Sequence, residues 1–278
     1  MAEITPSLVG KLREMTNAGL MDCKNALVEA AGDLNGAVDI LRKKGQASAA
    51  KKAGREAKDG LIAQAVLNGR VGALVEVNCE TDFVARNESF KTFCNDLAAK
   101  VASNPEADLE ADRVAAVAKI GENIQIRRNQ RLEVSGNGLI AAYIHTGGKV
   151  GVLVEVGAKK PETTQAEEFK QLVRDITLQI AAANPVAIHR GEVPAAVLDK
   201  EREIAAQSEA VKNKPPQAVA KIIEGKLGKF LETACLLEQG FVKNPDLKVE
   251  AHVASVGKAL DDTLQVRRFL RYQVGEAL

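Results

Sequence analysis

The sequence predicts an α+β protein with a three-helix bundle, a core of two related subdomains with antiparallel sheets and helices, and an inserted helical hairpin. The main observation is an internal repeat, because residues 71–77 (VGALVEV) recur as residues 150–156 (VGVLVEV), an offset of 150 minus 71, or 79 positions. Residues 60–63 recur likewise as residues 138–141. Short helical patterns precede the first copy, and a longer helical pattern interrupts the second. Two copies of one strand–strand–helix unit therefore form the core.

These observations divide the chain into four predicted units. Residues 1–54 form the bundle and its linker, and residues 55–137 form the first core subdomain. The second core subdomain combines residues 138–184 with residues 230–278. The hairpin between those two segments occupies residues 185–229.

Helix start and stop signals define the bundle. Three short helices are predicted within residues 5–45. Thr5, followed by proline, caps the first helix, and Asp33 caps the third, which we expect to end near Gly45. Residues 46–58 are rich in alanine and lysine, and they are predicted to be a helical or flexible linker.

Each core copy begins with two strands and continues into a helix. In the first copy a tight hairpin at Gly69 joins the strands, a later helix stops at Gly121, and residues 124–134 alternate like a strand. The helix after the strands has apolar residues at helical spacing, which are predicted to be buried: Phe90, Phe93, Leu97 and Val101. Residues 235–238 and 265–270 have strand character and are predicted to complete the second sheet.

The inserted hairpin is predicted to contain two helices, over residues 194–211 and 217–227, joined by a proline-containing turn. A projecting pair of helices has an apolar face that must be buried. The sequence leaves two partners open for this face. One is the core of the same chain, and the other is a second copy of the chain, which would make the protein a homodimer.

Composition indicates a globular protein with no general affinity for polyanions. With 38 basic and 37 acidic residues, the net charge is +1, which gives no drive toward nucleic acid or anionic membranes. Aromatic residues make up 3% of the chain, too few for a platform that stacks single-stranded bases. The sequence lacks both an apolar stretch of about 18 residues and a signal peptide, so we expect a cytoplasmic protein.

Motifs for catalysis or cofactor binding are absent from the sequence. The four cysteines and three histidines are widely spaced, which supports neither a disulfide framework nor a zinc site. Residues 147–149 and 225–229 contain glycine and lysine but lack the spacing of a phosphate-binding loop. No nucleophile elbow or dinucleotide fingerprint occurs. We therefore predict a protein that acts by binding a partner, without enzymatic activity, cofactor or metal.

Phe83 stands out when the two copies are compared. Where the second copy has a polar turn at residues 157–163, the first copy has residues 81–84 (TDFV). With seven Phe, two Tyr and no Trp in the chain, an aromatic residue in a loop is unusual. Either Phe83 packs on a neighbour such as Phe90, or Asp82 and Phe83 project together into a partner.

Four motifs in this sequence resemble the bacterial elongation factor Ts family. They are residues 12–24 (LRE followed by GLMDCK), 76–85 (EVNCETDFVA), 119–128 (KIGENIQIRR) and 143–152 (YIHTGGKVGV). The motifs occur in the order and spacing of the family over nearly the whole chain. The resemblance implies a guanine-nucleotide exchange factor for elongation factor Tu, the GTPase that delivers aminoacyl-tRNA. It also implies that the bundle is similar to ubiquitin-associated (UBA) domains and that the hairpin is a coiled coil.

The resemblance also assigns roles to individual positions. In the family, the loop matched here by Thr81, Asp82, Phe83 and Val84 inserts near the magnesium site of the GTPase. The positions matched by Arg13, Leu20 and Met21 contact a helix of its nucleotide domain. The position matched by His145 contacts another domain of that partner.

Two features depart from the family pattern. Some members continue past the segment matched by residues 271–276 into a further helical module, whereas the sequence ends at Leu278. We therefore expect the bundle and the loop to carry more of the binding. Leu20 stands where the family often has Met, a change of similar volume that should be tolerated.

Two other functions stay open at this point. The first is a ribosome- or RNA-associated protein with a basic patch formed by Lys43, Lys44, Lys51, Lys52, Arg127, Arg128 and Arg131. It predicts an RNA affinity that falls steeply with salt, and a flat salt response would exclude it. The second is an enzyme with a site assembled between the subdomains, which requires turnover of a small molecule without a GTPase partner.

Overall fold

The structure is a computed structural model that describes residues 4–16 and 18–277; Asn17, part of the predicted break after the first helix, lies outside these ranges. The α-helices are α1 (Pro6–Thr16), α2 (Leu20–Glu29), α3 (Leu34–Lys52), α4 (Asp82–Arg86), α5 (Glu88–Ser103), α6 (Glu110–Ile120), α7 (Glu167–Ala183), α8 (Ala195–Ala206), α9 (Pro216–Ala234) and α10 (Val249–Ala259). The strands are β1 (Asp59–Leu67), β2 (Val71–Cys79), β3 (Gln125–Glu133), β4 (Gly138–Ile144), β5 (Val150–Ala158), β6 (Gly240–Phe241), β7 (Asn244–Lys248) and β8 (Leu264–Gln273). Helices combined with antiparallel sheets confirm the predicted α+β class.

The first sheet has the strand order β1-β2-β3 and is antiparallel. The predicted hairpin joins β1 to β2, with Asn68 and Gly69 at positive φ angles of 52° and 66°. Positive φ at both central residues defines a type I′ turn, for which Asn-Gly is a preferred sequence. Helix α5 packs on one face, where Phe90, Leu97 and Val101 are buried as predicted.

The second sheet has the strand order β4-β5-β8 and is also antiparallel. Strand β8 pairs with β5 along its whole length, which confirms that residues 265–270 complete this sheet after the insertion. Helices α7 and α10 pack against it and bury Phe169, Ile176 and Val253. The short strands β6 and β7 form a separate hairpin before α10.

The two sheets pack against each other through a shared apolar layer. Its buried residues are Ile62, Leu74, Leu132, Val134, Ile140, Leu153 and Tyr272. Gly72 of β2 faces Ile140 of the other sheet, and a Cβ atom at Gly72 would come within 2.6 Å of the Ile140 Cγ2 atom. The equivalent residue of the second copy, Gly151, faces Ile62 in the same way. Each glycine therefore leaves space for an isoleucine from the opposite copy.

The repeat extends to a third strand, which the sequence analysis missed. Residues 125–128 of β3 (QIRR) recur as residues 265–268 of β8 (QVRR), at an offset of 265 minus 125, or 140 positions. The middle strands carry a matching irregularity, because the pairing register shifts just after Glu76 in one sheet and just after Glu155 in the other. The larger offset reflects the chain that is inserted between the second and third strands of the second copy.

A buried glutamate at the register shift links the second sheet to the first subdomain. Glu155 accepts hydrogen bonds from Arg268 Nε at 2.6 Å and Arg267 Nη1 at 3.0 Å on its own sheet. It also accepts one from the backbone N–H of Ser135, 3.0 Å away, which follows β3. Burial opposes ionisation, but the hydrogen bonds from Ser135, Arg267 and Arg268 outweigh it and lower the pKa of this carboxyl group below the ordinary value of 4.5.

Glu76 makes the equivalent contacts in the first sheet. Its carboxylate is fully buried and accepts hydrogen bonds from Arg128 Nε at 2.7 Å and Arg127 Nη1 at 3.2 Å. The backbone N–H of Gly275 donates a third bond at 3.0 Å. Because Gly275 follows β8, each subdomain supplies a backbone donor to the buried carboxylate of the other.

The bundle has the predicted caps, but its third helix is longer than predicted. Side-chain oxygens of Thr5 and Asp33 accept backbone N–H groups at the starts of α1 and α3. The prediction that α3 ends near Gly45 is wrong, since the helix continues to Lys52 through most of the predicted linker. Gly45 lies buried against α6, where Val114 would be 3.1 Å from a Cβ atom. This glycine serves close helix packing rather than helix termination.

Both helices of the inserted hairpin differ in length from the prediction. Helix α8 ends at Ala206 instead of near residue 211, beside Ser208, whose hydroxyl donates to the Ala205 carbonyl at 2.7 Å. Such a bond competes with helix continuation. Helix α9 extends to Ala234, beyond the predicted end. The two helices contact each other, and a small apolar cluster lies at their base: Ala187, Val193, Val197, Leu198, Leu231 and Cys235.

The predicted strand at residues 235–238 is wrong. A 3₁₀ turn begins at Leu236, and Cys235 forms only an isolated bridge with Ala187. Gln239 holds this turn by donating its side-chain amide to the Thr233 carbonyl at 2.6 Å. A short apolar run does not distinguish strand from helical turn by periodicity, which explains the error.

Replacing the buried carboxylate tests its contribution to stability. We expect Glu155→Ala to lower the free energy of unfolding by about 3–5 kcal/mol, because Arg267, Arg268 and the backbone N–H of Ser135 all lose this buried acceptor. The folded pKa is lowered, so this stabilisation is complete above pH 4.5 and is lost as the pH falls through the folded pKa. Urea unfolding of wild type and variant between pH 7 and acid measures both effects.

Glu88→Ala is the matched control, because Glu88 forms an exposed ion pair with Lys91. Its loss should cost about 0–1 kcal/mol. Equal stabilities of the Glu155→Ala and Glu88→Ala variants would contradict the role of the buried carboxylate.

Candidate functional site

Phe83 projects from the surface near the start of α4. Its side chain is 81% exposed, more than any other large apolar side chain in the described part of the chain. The other side of the short helix is held in place, because Ala85 is buried and Val84 packs against the core of the first subdomain. The helix therefore presents Phe83 to solvent from a fixed base.

The alternative in which Phe83 packs on Phe90 is wrong. Phe90 is buried in the core, and its ring lies 6.3 Å from the ring of Phe93. Phe83 takes no part in this aromatic pair. Its exposure is therefore unexplained by internal packing.

Thr81 and Asp82 begin the helix that carries Phe83. The Thr81 hydroxyl caps α4 by accepting the Val84 backbone N–H at 3.3 Å. Asp82 forms an ion pair with Arg86 at 3.0 Å, one turn further along, and its side chain stays half-exposed. An acidic residue in the first turn and a basic residue in the last both stabilise a short helix.

A carboxylate from a distant part of the chain holds the loop before α4. Glu122 accepts the backbone N–H groups of Glu80 at 2.9 Å and Thr81 at 3.1 Å, and also the Thr81 hydroxyl at 2.6 Å. We call these three bonds the Glu122 clamp. Gly121, with φ of 85°, ends α6 and turns the chain toward this loop. Sequence reasoning missed Glu122, although it lies in the third family motif.

Two further bonds connect this region to neighbouring segments. The Glu80 carboxylate accepts the Asn123 backbone N–H at 2.6 Å, so the loop and the segment after α6 bind each other reciprocally. The Asn123 side chain donates to the Arg55 carbonyl at 2.7 Å. The segment after α3 is thereby held beside the loop.

Cys79, at the end of β2, packs beneath the loop and is unsuited to act as a nucleophile. Burial, together with the negative charges of Glu122 and Asp59, raises the pKa of this thiol to about 12. Its Sγ atom donates to the Thr81 carbonyl at 3.2 Å. Because a thiol reacts as the thiolate, Cys79 is a packing residue here.

His145 lies in the turn between β4 and β5, and its side chain is exposed. Its Nδ1 atom is 3.0 Å from the Tyr143 hydroxyl. Lys149 in the same hairpin forms an ion pair with Asp59 at 2.8 Å. Because Asp59 pairs with Cys79 at the end of β2, the His145 turn and the Phe83 loop occupy the same end of the first sheet.

The other predicted contact residues belong to the bundle. Arg13 is exposed near the end of α1, and Leu20 and Met21 begin α2 with side chains 55% and 61% exposed. A cleft lined by Met15 of α1 and Phe93 of α5, among others, lies between the bundle and the core. The end of α1 and residues of α5 therefore face each other across this cleft.

The arginines of the proposed RNA-binding patch are engaged within the protein. Arg127 and Arg128 pair with the buried Glu76. Arg131 pairs with Glu133 at 2.8 Å and also donates to a backbone carbonyl. These three residues therefore do not form a free basic patch.

Within residues 4–16 and 18–277, no group of three or more His, Cys, Asp or Glu side chains is arranged to hold a metal ion. No helix there is long and apolar enough to span a bilayer.

Comparison with known proteins supports the resemblance found in the motifs. A profile of the family described as Elongation factor TS matches residues 80–276, which begin one residue before the TDFV loop. The chain belongs to the elongation factor Ts family. The family's Elongation factor Ts from Symbiobacterium thermophilum is 45% identical over 286 residues, covering 100% of this chain and 94% of that protein. The Elongation factor Ts from Bdellovibrio bacteriovorus is 43% identical, and the match covers 99% of this chain and 94% of that protein. The Elongation factor Ts from Clostridioides difficile is also 43% identical, and the match covers 100% of this chain and 95% of that protein.

Proposed function

We propose that this protein is a guanine-nucleotide exchange factor that binds elongation factor Tu and promotes GDP release. The observation that carries the proposal is the exposure of Phe83 on a loop fixed by hydrogen bonds, in a chain of the elongation factor Ts family. In this proposal, residues 81–84 insert near the magnesium and phosphate site of the GTPase. The protein supplies binding energy only and performs no covalent step.

The energy of the proposed insertion comes mainly from burying the Phe83 ring. Transfer of such a side chain from water into an apolar pocket contributes roughly 1.5–3 kcal/mol. Little of this is lost to ordering, because the loop is already held by the Glu122 clamp and by its own helix cap. A preorganised aromatic side chain is therefore an effective anchor.

Insertion can weaken nucleotide binding because the GTPase holds the phosphates and magnesium cooperatively. A wedge that displaces a helix beside the metal leaves the phosphate charge less well compensated. The coupling is reciprocal, so GDP weakens binding of this protein by the same factor. A hundredfold effect needs a coupling free energy of about 2.7 kcal/mol, comparable with burial of one aromatic ring.

Additional contacts are proposed for Arg13, Leu20 and Met21 on the bundle and for His145 on the core. The exposed apolar side chains at the start of α2 suit contact with an apolar strip of a partner helix.

We propose that the bundle is UBA-like and that the four units follow the boundaries predicted from the sequence. The α8–α9 hairpin, as a coiled coil with Ile204 exposed, is the surface on which a second copy would pack. A translation factor of this kind acts in the cytoplasm.

The wedge role predicts a specific defect for Phe83→Ala. We expect acceleration of GDP release to fall by about tenfold or more, since about 1.4 kcal/mol of lost binding energy corresponds to tenfold. Release of a fluorescent GDP analogue from elongation factor Tu, followed by stopped flow, measures this rate. The variant should unfold like wild type, because the ring contributes little to the core.

Val242→Ala is the control, because Val242 is also exposed, at 46%, but lies in the β6–β7 turn. It should accelerate release like wild type. Acceleration by Phe83→Ala equal to that by the Val242→Ala control would refute the wedge.

The bundle contacts predict a different defect. A Leu20→Ala/Met21→Ala variant should need about five to ten times more protein for half-maximal release, while the rate at saturation stays unchanged. Contacts made equally before and during release affect affinity without affecting the maximal rate. Val28→Ala is the control on the same helix, with an exposed side chain of similar character. A lower saturating rate in the double variant would argue against a docking role.

A further inference from the structure

We infer that Glu122 is a positioning residue for Phe83, an inference that rests on the proposed function. Glu122 does not itself reach the exposed ring. It acts through the backbone and hydroxyl of Thr81, two residues before Phe83. Removing it should change where the ring points rather than what the ring touches.

The hydroxyl of Thr81 transmits this effect to the helix. It donates its proton to Glu122 Oε1 at 2.6 Å, so its lone pairs face the Val84 backbone N–H, which it accepts at 3.3 Å. Without the carboxylate the hydroxyl can rotate and the cap weakens. Helix α4 has only five residues, so a weaker N-cap loosens its first turn even though Ala85 stays packed on the core. Phe83 is its second residue and would lose its fixed direction.

The second subdomain contains the same anchor without an exposed ring. Asp262 accepts the backbone N–H groups of Lys159 at 3.2 Å and Lys160 at 3.0 Å, and the Thr163 hydroxyl at 2.7 Å. We call these bonds the Asp262 clamp. Asp262 follows Glu122 by 262 minus 122, or 140 positions, the offset of the third strands. Position 162, which corresponds to Phe83 at the offset of 79, is an exposed Glu.

The first copy makes a hydrogen bond for which the second copy has no acceptor. The carboxylate of Glu80 accepts the Asn123 N–H, but Lys159 at the equivalent position has no acceptor. The Thr263 N–H, equivalent to that of Asn123, bonds Asp262 instead. The two loops are thus held differently beyond the shared carboxylate: the first by Glu80 binding the segment after α6, and the second by Asn137, which donates to the Lys159 carbonyl at 3.0 Å, and by the Lys160–Asp261 ion pair at 2.8 Å. The reciprocal bond between Glu80 and Asn123 is specific to the loop that exposes the aromatic ring.

A fluorescence experiment tests positioning independently of exchange. The chain has no Trp, so Phe83→Trp introduces a single indole reporter. In that background, Glu122→Ala should lower the steady-state anisotropy of the indole, because the loop gains motion. Asp262→Ala removes the same kinds of bonds from the other copy and should leave the anisotropy unchanged.

Exchange measurements then connect positioning to function. Glu122→Ala should reduce the acceleration of GDP release by about tenfold, the scale expected for loss of a helix cap. Glu122→Gln retains one acceptor oxygen and should recover part of the activity, while Asp262→Ala should match wild type. Phe83→Ala/Glu122→Ala should be no slower than Phe83→Ala alone, since both changes act through one ring.

The outcomes separate this inference from the proposed function. If Phe83→Ala is defective but Glu122→Ala is normal in both anisotropy and exchange, the positioning role is overturned and the exchange function stands. Additive defects in the double variant would also overturn it. If Phe83→Ala is normal, the exchange mechanism fails, and the anisotropy still decides whether Glu122 orders the loop. Should Glu122→Ala not fold, Glu122→Gln supplies the same comparisons.

Discussion

Glu76 and Glu155 each place a carboxylate between two sheets, in a layer that excludes water. Each is neutralised by two arginines of its own sheet and by a backbone N–H of the other subdomain. A buried charge that loses such partners costs several kcal/mol, so the sheets cannot separate without a large penalty. The Phe83 loop and the His145 turn extend from the ends of these joined sheets. Their relative position therefore depends on the two carboxylates.

The two subdomains show how one scaffold supports two different surfaces. Both have a hairpin, a register shift with a buried glutamate, and a carboxylate that binds the loop after the second strand. They differ in what the loop displays, an aromatic ring at position 83 and a charged side chain at position 162. The repeated parts account for stability, and the difference between the loops accounts for the partner-binding surface that we propose.

The sequence was sufficient to predict the features that depend on local pattern. The repeat, the hairpin at Gly69 and the helix caps could be found there because short-range spacing determines them. For Phe83 the local pattern left both a packed and a projecting position open, and the family resemblance favoured the projecting one. Features that depend on tertiary contacts could not. Gly45 resembles a helix stop but is small because Val114 packs on it. Glu122 was missed because it is more than forty positions from the N–H groups it accepts, and the third-strand repeat was hidden by the inserted hairpin.

Gly72 and Gly151 bear on whether a single copy of the repeat, half the size of this core, could associate with a second identical copy. Each receives an isoleucine from the opposite copy, so the contact surface of one copy is complementary to that of the other and nearly identical to it. Separate chains bearing one such unit would satisfy each other around a twofold axis, as in an isologous dimer. Joining the two units covalently makes their association independent of concentration. It also breaks the symmetry, which a homodimer cannot do, and so permits one face to specialise.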